Sequence, residues 1–384
     1  MSKTLLSVLQ VIPALDAGGA ERTAVDVAAA IVRAGGKAWI ATEGGRLASE
    51  AEKAGAKLVS GRFATKNPIT MLSNASRLAD AIRSHDISII HARSRAPAWS
   101  AALAARRTGA KFVATYHGIY NSKNAFKRFY NSVMSRGDAV IANSHFTANH
   151  VKAEHHPDPN KLFVIPRGVD IEAFTPQKVQ ADRIETIKKQ WGLKPGRPVI
   201  LLPGRLTRWK GQLDFITALS KLPDRNFEAV MAGDAQDRDG YVAELREAVD
   251  KLKLSQLVRI PGHCSDMPAA LMAADLVVAP SIEPEAFGRV AVEAQAMGRP
   301  IVASKLGAQM ETVIDGVTGF LFEPGDTSAM AQAIAKALAL PESQRLAMAH
   351  AGRQRVLREY TVDTMCERTL DVYRQLISNN GTKS

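Results

Sequence analysis

Short apolar runs alternate with alanine-rich stretches of helical spacing along nearly the whole sequence, and few folds accommodate that alternation. In the first half, residues 5–12, 38–41, 57–59, 87–91, 112–115, 139–142 and 162–165 read as strands. Residues 24–33, 71–83 and 97–106 between them have helical composition and periodicity. Strands of this kind separated by helices imply parallel sheets covered on both faces. The series breaks at Pro195-Gly196-Arg197-Pro198, which closes a charged, proline-flanked stretch from about Gly168. It restarts with strands at 199–202, 228–231, 258–260, 276–279 and 300–303. Two doubly wound domains are therefore expected, residues 1–168 and 169–362. From Ser328 the chain reads as helix without strands, ending in a segment, 363–384, with Met365, Leu370, Tyr373, Leu376 and Ile377 at helical spacing. No internal repeat or low-complexity tract occurs.

The length of 384 residues suits two or three domains. The two cysteines, Cys264 and Cys366, are too few for a disulfide framework or a cysteine-rich zinc site, which fits a reducing compartment. No apolar run reaches the roughly 18 residues that a membrane-spanning helix needs. Lys3 and the following residues to Ile12 loosely imitate a secretion signal. Gln10 interrupts them and a glycine-rich turn replaces the cleavage site, so a buried first strand and a cytoplasmic protein are expected. The net charge of +12 is uneven: residues 1–172 hold 23 basic and 13 acidic side chains, the remainder 27 and 25. An anionic partner suits that asymmetry (a nucleic acid, an acidic membrane surface or a phosphorylated substrate), although solubility alone would also explain it.

In open α/β sheets ligands sit beyond the C-terminal ends of the strands, where glycine-rich turns lead into helices. Gly18-Gly19-Ala20-Glu21-Arg22, after the first strand, is one such turn; it serves either an anion or a tight strand–helix connection. No dinucleotide fingerprint or P-loop sequence is present. Gly204-Arg205 through Lys210-Gly211, after the first strand of the second domain, sets two fixed cations around a helix start and suits a diphosphate; a solvated basic loop is the alternative. Pro280 through Ala294 is the richest stretch. If a helix starts near Gly288, Glu285 lies just before its N-terminus and Glu293 two turns inside, on an apolar helix where an unpaired carboxylate is expensive. His117 follows the fifth strand at its C-terminal end. Phe126, Phe129, Tyr130 and Val133 share a helical face flanked by Lys123, Lys127 and Arg128, either as core or as an interfacial amphipathic helix on an anionic membrane. Nucleic acid is excluded as the better explanation, since aromatic residues make up 6% and no recognition motif appears.

Taken in order, these segments resemble the family 4 retaining glycosyltransferases. Glu285 and Glu293 match the family's E-x7-E signature, and Gly18-Gly19 its N-terminal glycine loop. Gly204-Arg205 with Lys210 resembles its diphosphate-binding pair, Val164 to Asp170 its interdomain V-I-P-N-G-V-D, and Ser304 to Glu311 its S-x-x-G-G-x-x-E. Ile260-Pro261-Gly262 resembles the strand and loop beside the nucleotide base. Two departures bear on donor identity: Arg167 replaces the hinge asparagine, and Ala308 the second glycine of a pair.

The resemblance implies the GT-B fold, two Rossmann-like α/β domains facing a cleft, with the C-terminal helix packing back on the first domain. The first domain would bind the acceptor and the second the nucleotide sugar. It implies a retaining, metal-independent hexosyltransferase without a cofactor. Arg205, Lys210, Glu285 and His117 would be catalytic. Gly18, Gly19, Gly204, Gly262, Glu285, Phe287, Gly288 and Glu293 would hold the donor with Arg205 and Lys210, Glu293 on the ribose and Glu285 on the sugar. The V-I-P-R-G-V-D variant is similar to lipopolysaccharide core mannosyltransferases, so GDP-mannose is expected ahead of UDP-sugars. The acceptor would be a lipid-linked or phosphorylated saccharide at the inner membrane face. An epimerase or phosphorylase on the same fold, or an inactive sugar-nucleotide-binding protein, are the competing expectations.

Overall fold

The computed structural model describes residues 5–16, 18–120 and 124–378. The chain divides into two units; the first runs to Gly168 and resumes at Val362, and the second spans Val169–Thr361. In unit 1, β1 (Ser7–Val11), β2 (Lys37–Thr42), β3 (Lys57–Ser60), β4 (Ile89–Ala92), β5 (Lys111–Tyr116), β6 (Ala139–Ala142) and β7 (Leu162–Val164) form one parallel sheet. Their order is β3-β2-β1-β4-β5-β6-β7.

Successive side chains on a strand point to opposite faces, and here both faces are buried. Val8, Ile40, Ile89 and Val113 pack beneath helix Gly19–Arg33 and the C-terminal helix Val362–Ser378. Their neighbours Leu9, Ala41, Ile90 and Ala114 pack beneath helices Pro68–Ser84 and Arg95–Thr108. That two-sided burial is why the strands read as continuous apolar runs. The C-terminal helix buries Met365, Leu370 and Tyr373 in the first of these layers, with Leu376 and Ile377 at its edge.

In unit 2, β8 (Val199–Pro203), β9 (Glu228–Ala232), β10 (Val258–Gly262), β11 (Leu276–Ala279), β12 (Ile301–Ser304) and β13 (Phe320–Phe322) form a second parallel sheet, ordered β10-β9-β8-β11-β12-β13. Ile200, Met231, Val278 and Val302 face one layer and Leu201, Val230, Val277 and Ile301 the other. β13 is an addition to the expected series. Its three residues are too few to show a period, yet Phe320 and Phe322 enter the core and extend the sheet from β12.

The stretch expected to join the domains is part of unit 2. Helix Ala181–Gln190 inserts Ile187, and Trp191 just after it, into the second layer. Arg183 grips Asp266 with Nε and Nη2 at 2.8 and 2.7 Å. Among the described residues no helix is long and apolar enough to cross a membrane. Both cysteines are free. Both sheets reverse their strand order next to the first strand of the unit, so the loops after β1 and β4, and after β8 and β11, flank the positions where such sheets take ligands.

Candidate functional site

In unit 2 the ends of β8, β9 and β10 are stitched together by their backbones. Gly204 N–H donates to Ala232 O at 2.9 Å, and Gly233 N–H to Gly262 O at 2.8 Å. The chain then passes Arg205 and makes a single 3₁₀ turn, Arg208–Lys210, before helix Gln212–Ser220. Gly211 between them has φ +74°, and a Cβ there would fall 2.0 Å from Pro280 O. Only glycine lets this loop lie against the end of β11. The contact brings the two sequence motifs of unit 2 together.

Lys210 Nζ lies 2.5 Å from Glu285 Oε1, which also accepts from Ser281 Oγ at 2.7 Å. Both partners of that ion pair are largely shielded from solvent. Lys210 also stands 4.4 Å from the centre of the Trp209 ring. Arg205 is exposed, its carbonyl held by Gln212 Nε2 at 2.9 Å, and its guanidinium has no partner among the described residues. One cation of the pair is thus neutralised and the other stands open.

Helix Arg289–Ala296 starts after Gly288, as the spacing predicts, and Glu293 is buried inside it. Arg289 Nε reaches Glu293 Oε1 at 3.1 Å from the exposed side. Burial raises the Glu293 carboxyl pKa above its ordinary value, while the charges of Arg289 and then Lys210 pull it back. Lys210 therefore acts on both signature glutamates.

The loop after β12 closes the other side. Ala308 N–H donates to Glu285 O at 2.8 Å, and Ser304 Oγ donates to Ser281 O at 2.7 Å. Ala308 has φ −74°, a conformation open to any residue, so the departure from glycine there is accommodated without strain.

For Phe287, expected at the donor, the structure bears on the side chain alone. Its ring is buried in a cluster with Val292, Ala296 and Val356 and meets the Tyr360 ring edge-on at 5.9 Å. The side chain serves packing and is not available to a ligand. Arg205, Lys210, Gly204, Gly262, Glu285, Gly288 and Glu293 all belong to unit 2; Gly18, Gly19 and His117 belong to unit 1.

In unit 1, Gly18 precedes helix Gly19–Arg33. A Cβ on Gly19 would lie 2.4 Å from Arg167 Nη1, so the glycine loop admits the guanidinium that replaces the usual hinge asparagine. His117 follows β5. Both ring nitrogens are buried and neither meets a partner among the described residues. Burial, and then the charges of Arg167 and Arg93, hold its pKa well below the ordinary histidine value. A neutral imidazole is left, with one nitrogen to donate a hydrogen bond and the other to accept one.

Sequence reasoning missed Arg93. It lies just beyond β4, is buried, and donates from Nε and Nη2 to Gln10 Oε1 at 2.8 and 2.5 Å. Gln10 in turn donates to Ala24 O at 2.8 Å. His91 beside it lies 2.5 Å from Tyr373 Oη and 2.7 Å from Thr115 Oγ1, and burial lowers its pKa as well. Burial lowers the Arg93 pKa from its ordinary value, and the Tyr373, Cys366 and Asp26 groups oppose that; its hydrogen-bonding partner is an uncharged amide. The signal in the sequence was a polar glutamine inside the first apolar run.

Residues 17–173 match the family described as Glycosyltransferase Family 4, and residues 183–355 the family described as Glycosyl transferases group 1. A glycosyltransferase from Rickettsia africae of known structure is 36% identical, with a TM-score of 0.92 over 97% of this chain and 99% of that one. The chain belongs to this glycosyltransferase family. HepE from Anabaena, solved in complex with UDP and glucose, is 25% identical, with a TM-score of 0.81 over 95% of this chain and 98% of that one. The D-inositol 3-phosphate glycosyltransferase of Xylanimonas cellulosilytica is 32% identical over 63% of this chain; the match spans 58% of that relative's length. The fold is the expected GT-B arrangement of two parallel-sheet Rossmann-like domains. None of these three proteins is named for mannose or for lipopolysaccharide.

Proposed function

We propose that the protein transfers a hexosyl unit from a nucleoside diphosphate sugar to a hydroxyl of a phosphorylated or lipid-linked saccharide, with retention at the anomeric carbon. The observation that carries this is the Lys210–Glu285 pair, set beside the open Arg205 on the glycine loop after β8. Breaking the anomeric C–O bond leaves negative charge on the diphosphate. Arg205 and Lys210 stabilise that charge, the work a metal ion does elsewhere. Lys210 turns from Glu285 toward the phosphate, and Glu285 then accepts hydrogen bonds from the sugar hydroxyls. Glu293 takes the ribose hydroxyls. The acceptor oxygen bonds to the anomeric carbon on the face that the diphosphate leaves, and its proton passes to the departing phosphate oxygen. His117 orients the sugar or the acceptor as a neutral hydrogen-bonding group.

The charge of unit 1 supports an acceptor bearing phosphate, as does the name of the inositol phosphate relative. GDP-mannose is the donor favoured by the sequence resemblance, and the HepE complex with UDP and glucose favours a UDP-sugar. Thermal unfolding with GDP-mannose, UDP-glucose, UDP-galactose and UDP-N-acetylglucosamine separates these. A ligand present at 100 times its Kd adds about 2.7 kcal/mol to apparent stability. One donor is expected to raise Tm by several degrees; no shift with any of them contradicts the proposal. Proton NMR of the product then reads the anomeric configuration, and inversion would overturn retention.

A further inference from the structure

Unit 1 carries an exposed apolar surface. An open groove of about 1230 Å³ lies along the helices Pro68–Ser84, Arg95–Thr108 and Ala125–Ser132. Its walls include Met71, Leu72, Trp99, Leu103, Phe126 and Phe129. Phe126 is 77% exposed and Phe129 57%, and on the facing helix Ile69 is 79% and Leu72 53% exposed. The sequence left open whether the aromatic face of residues 125–133 is core; only its end, Val133, is buried. The helix is capped at its start and braced at its middle. Asn124 Oδ1 accepts from Lys127 N–H at 2.8 Å, while Phe129 rests on the Trp99 ring at 5.3 Å. A large exposed apolar patch on a protein surface marks an interaction site.

The charge around the patch selects its partner. Lys66, Arg106, Lys127 and Arg136 line the groove. Asp138 is the one acidic residue among the lining residues described, and it already accepts from Phe112 N–H at 2.8 Å with Lys111 nearby at 3.9 Å. Between Lys57 and Arg136 the sequence has 14 lysines and arginines against two acidic residues, Asp80 and Asp86. A second copy of this face would bring like charges together. Lys123, which the sequence also placed on this rim, lies outside the described residues.

We infer that this face docks on an anionic lipid bilayer, with Phe126, Phe129, Ile69 and Leu72 entering the interface and the surrounding lysines and arginines meeting lipid phosphates. Apolar side chains at the tip of an amphipathic element and cations on its flanks are the two contributions that interfacial binding sums. The inference goes beyond the transfer reaction and does not require it.

Co-sedimentation of the full chain with vesicles tests it. Binding to phosphatidylglycerol-containing vesicles is expected, at least tenfold weaker on pure phosphatidylcholine and weaker again as salt rises. Phe126→Ser with Phe129→Ser should weaken vesicle binding at least tenfold, and Lys66→Glu with Lys127→Glu should remove the preference for anionic lipid. Circular dichroism and stabilisation by a nucleoside diphosphate should stay unchanged in both variants, since these residues are exposed and lie in the other unit from the donor loop. Equal binding of the Phe126→Ser, Phe129→Ser variant and the parent would overturn the inference. So would a dimer in sedimentation velocity that the same variant dissociates, or uptake of monomeric short-chain phospholipid without any vesicle binding.

Discussion

Lys210 in unit 2 carries its own counterion: its ammonium lies 2.5 Å from the Glu285 carboxylate, and both are shielded. Arg93 in unit 1 is buried just as its strand ends, but its acceptor is the amide oxygen of Gln10, and Arg167 lies over Gly19 a short way off along the same sheet edge. The two sheets share a topology of parallel strands reversing beside the first strand, yet they hold positive charge differently. A cation paired with a carboxylate can exchange partners when an anion arrives, freeing the carboxylate for hydroxyl groups. A cation hydrogen-bonded to an amide has no hydrogen-bonded carboxylate to release. The first arrangement suits a ligand whose charge grows during reaction, and the second a ligand that is anionic throughout.

The largest effect is expected where that exchange is removed. Lys210→Ala should lower turnover about 10²- to 10³-fold, the range seen when one donor to a developing charge is deleted. Arg93→Met should leave donor affinity within about twofold and weaken acceptor binding instead. Steady-state kinetics on both variants read this, and equal loss of donor affinity in the two would erase the distinction between the loops.

Next is the response to pH, which unit 1 should dominate. His91 and His117 have folded-state pKa values well below the ordinary 6.5, so the unfolded chain binds more protons below pH 6.5. Stability is therefore intact above pH 6.5 and falls as pH drops toward the folded-state values, by up to about 1.4 kcal/mol per pH unit for each histidine. Urea unfolding at pH 7.5, 6.5 and 5.5 should show this loss, and His117→Gln should reduce it. A flat profile would mean that the imidazoles are not buried neutral.

The smallest effect is at Glu293, where the sign reverses. Its raised pKa means that the buried, ionised carboxylate lowers stability once pH rises through the folded-state value. Glu293→Gln should leave Tm at pH 7 unchanged or higher, while weakening nucleotide binding about tenfold, roughly 1.4 kcal/mol. A fall in Tm with full nucleotide affinity would make Glu293 a structural residue.

Much of this was legible in the sequence, because parallel strands buried on both faces leave continuous apolar runs. The helix start at Gly288 and the placing of Glu285 and Glu293 around it followed from residues near one another in the chain. What was not legible depends on distant partners. Arg93 finds Gln10 across 83 residues, and without that contact it reads as a solvated strand end. The fate of the Phe287 ring is decided by Tyr360, and β13 is a strand only because β12 is beside it. The helix at 125–132 has the same pattern whether its aromatic face meets a core or solvent, so exposure had to decide.

Isothermal titration calorimetry of UDP and GDP against the parent chain and the Arg205→Ala, Lys210→Ala double variant tests the central claim most directly. A nucleoside diphosphate anchored on the loop after β8 predicts saturable binding to the parent, weakened at least 100-fold in the variant with its circular dichroism unchanged. Equal affinity in the two proteins would contradict it.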